Sequence, residues 1–302
     1  MRIMQIGSIV VTFLLAPLLP GIITKVKAWF GGRWGAPLLQ PYYDIIKLLR
    51  KNVVYSRSTS WIFRTSPAIG LGGIICAVLL LPQGGSGSVL SFQGDMVALI
   101  YILGIIRFFM IIAALDTASS FEGMGASRDV FFSLLAEPVL FISMAVLVKN
   151  NGSFSLVDLL NGSGEIWGVS TLLTTASLFI ILLAENCRIP VDDPTTHLEL
   201  TMIHEVMVLD NSGPEFGWIL YTSYVKLWIF CSICVQVILP TEGLSAAARF
   251  AALICGILVC AAGVGIVESA MARLRLTKVP QLLVGAGALA VVAFLFSSKG
   301  GL

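Results

Sequence analysis

Long apolar runs recur along the chain, near residues 3–22, 66–82, 95–115, 129–149, 167–186, 217–239, 246–268 and 279–298, each followed by a polar or turn-rich connection. A helix needs about 20 such residues to cross the hydrocarbon core of a bilayer, and each run approaches that length. The period-two alternation of outer-membrane barrel strands is absent from them. Backbone groups in lipid must be satisfied within their own segment, so the sequence predicts an all-α, polytopic membrane protein. About eight transmembrane helices are expected, as a single integral domain over 1–302. Composition agrees: 57% of the residues are hydrophobic and 12% charged, whereas soluble domains carry about 25% charged residues.

Residues 1–20 run through Leu18-Leu19 into Pro20-Gly21 with no small-residue cleavage site, so the first run is expected to be a retained span. Cys76, Cys231, Cys234, Cys255 and Cys260 fall within predicted spans and Cys187 at the end of one, which suits small apolar fillers better than disulfides. Cys231-Ser-Ile-Cys234 has the spacing of half a metal site, but no second pair of polar-loop thiols completes it. No metal or cofactor is therefore assigned to this chain. Gly-rich phosphate loops, a nucleophile elbow and a hydride-cofactor fingerprint are missing as well, which argues against an enzyme that acts alone.

The bases set an orientation. Lys25, Lys27, Arg33, Lys47, Arg50, Lys51, Arg57, Arg64, Arg128, Arg188, Arg273, Arg275 and Lys278 fall in alternate connections, and the other side holds Arg2, Lys149, Arg249 and Lys299. The positive-inside rule then puts both termini outside, with cytoplasmic loops over 23–65 and 187–216. Within the first of these, Pro41-Tyr-Tyr-Asp-Ile-Ile-Lys-Leu-Leu-Arg50 has apolar residues at helical spacing and is expected to lie along the interface as an amphipathic helix. The chain contains no convincing internal repeat, which weighs against an autonomous inverted-repeat transporter.

Ionisable groups inside or beside the bilayer are costly, so their positions point to chemistry. Glu137 stands nine residues after Arg128 in the fourth run, about 13 Å along a helix at 1.5 Å per residue. A carboxyl group at that depth either stays protonated or pairs with a cation; both states suit a proton relay, which is favoured over a buried structural acid because intramembrane acids mark ion paths. Arg107 in the third run is its natural counter-charge, and Asp116, Glu122 and Asp129 continue an acidic trail toward the cytoplasmic mouth. Lys226, inside the predicted sixth span at 217–239, balances another acid in either a structural or a functional role.

The densest polar stretch is Glu185-Asn-Cys-Arg-Ile-Pro-Val-Asp-Asp-Pro-Thr-Thr-His-Leu-Glu-Leu-Thr-Met-Ile-His-Glu205. Glu185 ends a helix, Arg188 and Pro190 break it, and Asp192-Asp193-Pro194 offers an N-cap for a following helix. That capping role does not account for His197, Glu199, His204 and Glu205; the two histidines are seven apart and would share a helix face. The zinc pattern His-Glu-x-x-His is broken, since Val208 stands where the second histidine would be. Proton exchange or partner contact is the expectation for Arg128, Arg188, Asp193, His197, His204 and Glu205.

Together these motifs resemble the complex I subunit 1 family, and more closely its branch in membrane-bound group 4 nickel–iron hydrogenases. The residues that carry the resemblance are Gly32-Arg-Trp-Gly-Ala-Pro-Leu-Leu-Gln-Pro-Tyr-Tyr-Asp-Ile-Ile-Lys47, Arg107-Phe-Phe with Leu115-Asp-Thr-Ala, Gly125-Ala-Ser-Arg-Asp129 with Glu137-Pro, Glu185-x-x-Arg-x-Pro-x-Asp192 leading to Glu199-Leu, and Glu268-x-x-Met-Ala-Arg-Leu-Arg-Leu276. The resemblance implies a prokaryotic inner-membrane subunit at the junction between a hydrophilic redox arm and antiporter-like membrane subunits. It places Arg33, Gln40, Asp44 and Lys47 in a docking loop for the small iron–sulfur subunit and the large catalytic subunit. It places Glu137, Glu185, Arg188, Asp192 and Glu199 on the acidic path that couples redox chemistry to movement of H⁺ or Na⁺. The partners, on this resemblance, carry iron–sulfur clusters and a nickel–iron centre. Quinone-reducing members have further glutamates where this chain has Thr195 and His197, and Phe where it has Val191; a quinone site is thereby disfavoured but remains the alternative.

Overall fold

A computed structural model of the chain describes residues 2–84, 87–161, 168–192, 203–239 and 244–297. Among them the regular elements are helical: α1 (Arg2–Leu15), α2 (Leu18–Phe30), α3 (Gln40–Leu49), α4 (Trp61–Leu80), α5 (Asp95–Asp116), α6 (Ser120–Asn151), α7 (Leu156–Asn161), α8 (Val169–Glu185), α9 (Gly213–Ile238), α10 (Ala246–Ala270) and α11 (Val279–Phe296), with 3-10 turns at Glu205–Val208 and Leu276–Lys278. Helices α4, α5, α6, α9 and α10 are each long and apolar enough to cross a membrane, as is Leu276–Phe296, which contains α11. The bent pair α1–α2 and the 17-residue apolar α8 account for the other two of the eight expected spans. The chain is an integral membrane protein.

The first span is broken where the sequence predicted one continuous run. Gln5–Leu15 and Leu18–Phe30 meet at 41°, because Pro17 has no N–H to give to the carbonyl of Phe13. Orphaned carbonyls in a membrane need other donors. Tyr221 Oη of α9 donates to Phe13 O at 2.9 Å, and Tyr42 Oη of α3 donates to Leu14 O. Two tyrosines from distant parts of the sequence thus repair the break.

Helix α3 confirms the amphipathic reading and refines its place. Its inner side packs on α9, with Leu48 Cβ 3.4 Å from where a Cβ on Gly217 would be, while Tyr43, Ile46 and Leu49 stay exposed. The expected connection 23–65 is shorter than the sequence suggested, since α2 runs on to Phe30 and α4 begins at Trp61. Likewise α9 opens at Gly213, inside the expected loop 187–216.

At the centre stands α9, which packs against α2, α3, α4, α8 and α10 and buries Trp228 and Phe230. Helices α4 and α5 form an antiparallel hairpin beside it, tied at one end by Asp116, whose Oδ2 accepts from Ser60 N at 2.7 Å. Helices α6, α8 and α11 form a second group. There Ser177 Oγ donates to Ala286 O at 2.9 Å and lies 3.2 Å from Ser143 Oγ, so buried hydroxyls are satisfied between helices. Helix α6 has 32 residues, roughly 48 Å at the α-helical rise, well beyond the hydrocarbon thickness of about 30 Å. It starts at Ser120 rather than near 129, so Arg128 and Asp129 lie within the helix and Glu137 near its middle, one residue before a helix-interior Pro138.

Candidate functional site

Arg107, near the middle of α5, gathers three carboxylates from two neighbouring helices. Its Nη1 donates to Glu137 Oε1 of α6 at 3.0 Å, its Nη2 to Glu185 Oε2 at the end of α8, and its Nε lies 3.7 Å from Asp129 Oδ2 of α6. The rigid fork of a guanidinium suits such multiple engagement in a way an ammonium does not. From α9, Lys226 Nζ reaches the same Glu185 Oε2 at 2.9 Å and donates to the Glu185 carbonyl at 2.8 Å. Three acids and two bases are therefore held together, and four of the five side chains are nearly enclosed. Glu137 differs, with 43% of its side chain exposed against 4% for Glu185. On α5, Gly104 leaves room for it: a Cβ there would sit 4.0 Å from Glu137 Oε1.

Glu185 is aimed by the turn that ends α8. Cys187 N donates to Ala184 O at 3.2 Å and Arg188 N to Leu183 O at 2.8 Å, with Cys187 at φ +49°. This is the left-handed helix stop normally filled by glycine. It sends Glu185 toward Arg107 and Arg188 the other way, where Arg188 Nη1 lies 3.5 Å from Glu268 Oε1 of α10. Asp192 then fastens the chain: its Oδ1 is 2.6 Å from Arg273 Nη2, and its Oδ2 accepts from Ile203 N at 3.0 Å and His204 N at 3.3 Å.

A cleft opens against this cluster. Arg107, Asp129, Glu185, Cys187, His204 and Lys226 form its charged side, and Ile74, Leu103, Ile106 and Met110 contribute apolar wall. Ser66 Oγ, Thr222 Oγ1 and Asn186 Oδ1, which also line it, have no hydrogen-bond partner among the described residues. Buried polar atoms of this kind call for water or a polar occupant. Burial lowers the His204 pKa and raises that of the Cys187 thiol, so both are neutral near pH 7.

Other residues singled out from the sequence fall elsewhere. Asp116 ties the α4–α5 hairpin, as above. The fully buried Glu122 accepts from Asp210 N at 2.9 Å and so anchors the segment after the 3-10 turn that Glu205 opens. Arg128 reaches back one turn to Met124 Sδ at 2.9 Å. No described contact joins Asp116 or Glu122 to Arg107. Gln40 Nε2 donates to Asp44 Oδ1 at 2.9 Å along α3, with Arg33 and Lys47 exposed nearby in sequence. Asp193, His197 and Glu199 lie outside the described residues. Two groups had little prominence in the sequence: Glu268 with its partner Lys27, and Arg273. The available signal was an acid in the last turn of a helix that is apolar from Phe250 to Val267, a costly placement that implies cations beside it.

Fold and site define a polytopic helical membrane protein built around a buried cluster of ion pairs. The chain belongs to the NADH dehydrogenase family, whose model matches residues 3–298. It is 31% identical over 294 residues to formate hydrogenlyase subunit 4 of Escherichia coli (strain K12), covering 94% of each chain. With hydrogenase-4 component C of the same organism it shares 29% identity over 240 residues, 79% of this chain and 75% of that one. In the membrane-bound sulfane sulfur reductase, an archaeal respiratory membrane complex, one chain has the same fold, with a TM-score of 0.84 at 20% identity over 97% of this chain and 98% of that one.

Proposed function

We propose that this chain is the membrane-anchoring and ion-coupling subunit of a complex I-like respiratory assembly, of the membrane-bound nickel–iron hydrogenase type, in a prokaryotic inner membrane with both termini outside. The observation that carries this reading is Arg107, whose guanidinium holds Glu137, Asp129 and Glu185 together where α8 gives way to its loop. If the turn at 186–192 shifts, Lys226 and Arg107 no longer share Glu185, and the freed positive charge of Arg107 acts on Glu137, whose exposed flank can pass a proton or sodium ion to an adjoining membrane subunit. The redox step belongs to the hydrophilic partners, a small iron–sulfur subunit and a large catalytic subunit docked against 31–60 and 187–212. This chain's own residues hold and release charge.

In the purified assembly, reconstituted into liposomes, Glu137→Gln is expected to leave redox turnover with artificial donors near wild type and to lower ion uptake. Unchanged ion uptake would remove Glu137 from the mechanism.

A second reading, a quinone-site subunit, is favoured by one observation: the cleft combines apolar walls with the unpartnered hydroxyls of Ser66 and Thr222, a lining that fits a lipid-soluble carbonyl headgroup. Quinone-dependent turnover by the purified assembly, lost in the Thr222→Val variant, would establish it; hydrogen evolution without quinone turnover would reject it.

A further inference from the structure

A second charge cluster lies on the far side of the turn that carries Glu185. Glu268, in the last turn of α10, has a fully buried carboxylate: Oε2 is 3.0 Å from Lys27 Nζ and Oε1 3.5 Å from Arg188 Nη1. The two cations come from different places. Lys27 sits in the last turn of α2, the helix that leads into the 31–60 segment, and Arg188 stands three residues beyond Glu185. One turn earlier in α10, Gly265 lets the helices close up: a Cβ there would sit 2.9 Å from Val26 Cβ and 3.2 Å from Ile23 O. With so little slack, displacement of α2 must be felt by the end of α10.

Stability alone is a poor explanation for this arrangement. Among the described residues neither Glu268 oxygen has an aligned hydrogen bond, and the carboxylate is held by the charges of Lys27 and Arg188. Desolvation of such a group largely offsets the Coulomb gain, and well-packed apolar side chains would serve a static joint as well. What an apolar joint cannot do is fix the separation of two cations on two segments at once. The ion pairs run in series, from Lys27 through Glu268 to Arg188, across the left-handed turn at Cys187, to Glu185 and so to Lys226, Arg107 and Glu137.

We infer that Glu268 is a positioning residue that ties the end of α2 to the turn carrying Glu185, so that movement at the 31–60 segment alters how Arg107 and Lys226 hold Glu185. The inference rests on reading the Arg107 cluster as the coupling site, and it assigns the input to that cluster.

Cys187 provides the test, because it sits in the wall of the cleft between Glu185 and Arg188 and is only partly covered. In the intact purified assembly, its labelling by a small maleimide is followed by peptide mass spectrometry, with the labelling of Cys187 after denaturation as the reference. Glu268→Gln and Lys27→Gln are each expected to raise the Cys187 rate several-fold, and Lys27→Arg to keep it near wild type. A Cys187 rate unaffected by Lys27→Gln overturns the inference, whatever Glu268→Gln does; should Glu268→Gln fail to assemble, the two Lys27 variants decide alone. Labelling reads the position of the turn without any ion movement, so a failure here is separable from a failure of the proposed function.

Discussion

Arg107 of α5 and Lys226 of α9 converge on one atom, Glu185 Oε2 at the end of α8, and hold it together. Three helices are thereby joined through a single buried oxygen. Removing the carboxylate would deprive the largely buried Lys226 of its acid partner, while Arg107 keeps Glu137 and Asp129. Glu185→Ala is expected to destabilise the subunit by about 3–5 kcal/mol, the range for breaking a buried ion pair from one side. The measurement is the thermal midpoint of the detergent-solubilised assembly, with Glu185→Gln, which keeps an acceptor but no charge, losing less. Equal losses for the two variants would show that shape, not charge, holds the junction.

Gly104 controls the space beside Glu137. A Cβ there would be 4.0 Å from Glu137 Oε1, an ordinary contact, so Gly104→Ala is expected to leave ion coupling intact. Gly104→Leu would push a branched side chain against Glu137 and is expected to reproduce the coupling defect of Glu137→Gln without replacing an ionisable group. Full coupling in the leucine variant would show that the contact between Arg107 and Glu137 is dispensable.

His204 gives the junction a pH dependence of defined sign. Burial depresses its folded-state pKa below the usual value of about 6.5. At low pH the unfolded chain then binds a proton that the folded chain resists, so the His204 contribution is complete above about pH 6.5 and is lost as pH falls below that value. The thermal midpoint is expected to drop between about pH 7 and pH 5, and less steeply in His204→Gln. An identical slope in the variant would assign the dependence to other groups.

Asp192 closes the loop on itself. Its two oxygens serve Arg273 and the backbone of Ile203 and His204. Asp192→Asn can still accept hydrogen bonds but cannot neutralise Arg273, and Asp192→Ala can do neither. The alanine variant is expected to lose more midpoint temperature than the asparagine variant, and both to increase maleimide labelling of Cys187 at the left-handed stop. Wild-type labelling in both would mean that Arg273 is not what holds the turn.

Much of this molecule was legible from its residues. Apolar runs of membrane-spanning length fix the helical class, because no other secondary structure satisfies a single segment's backbone in lipid. Glu137, Arg107 and Lys226 could be singled out because a charge inside such a run is too costly to be idle, and pairing of Arg107 with Glu137 followed from sign and depth. The local stop after Glu185 was likewise written in Arg188 and Pro190. What the sequence left open was three-dimensional. Whether Asp116 and Glu122 belong with Arg107 depends on the directions of α5 and α6, and the fold gives both acids backbone donors instead. Glu268 and Lys27 are 241 residues apart in sequence and meet only because Gly265 lets α10 press against α2. Hydropathy reports how deep a residue can lie, since that is a property of its own transfer from water. It carries no information about which helix face turns toward which neighbour, and that choice, made by packing, decides which charges meet.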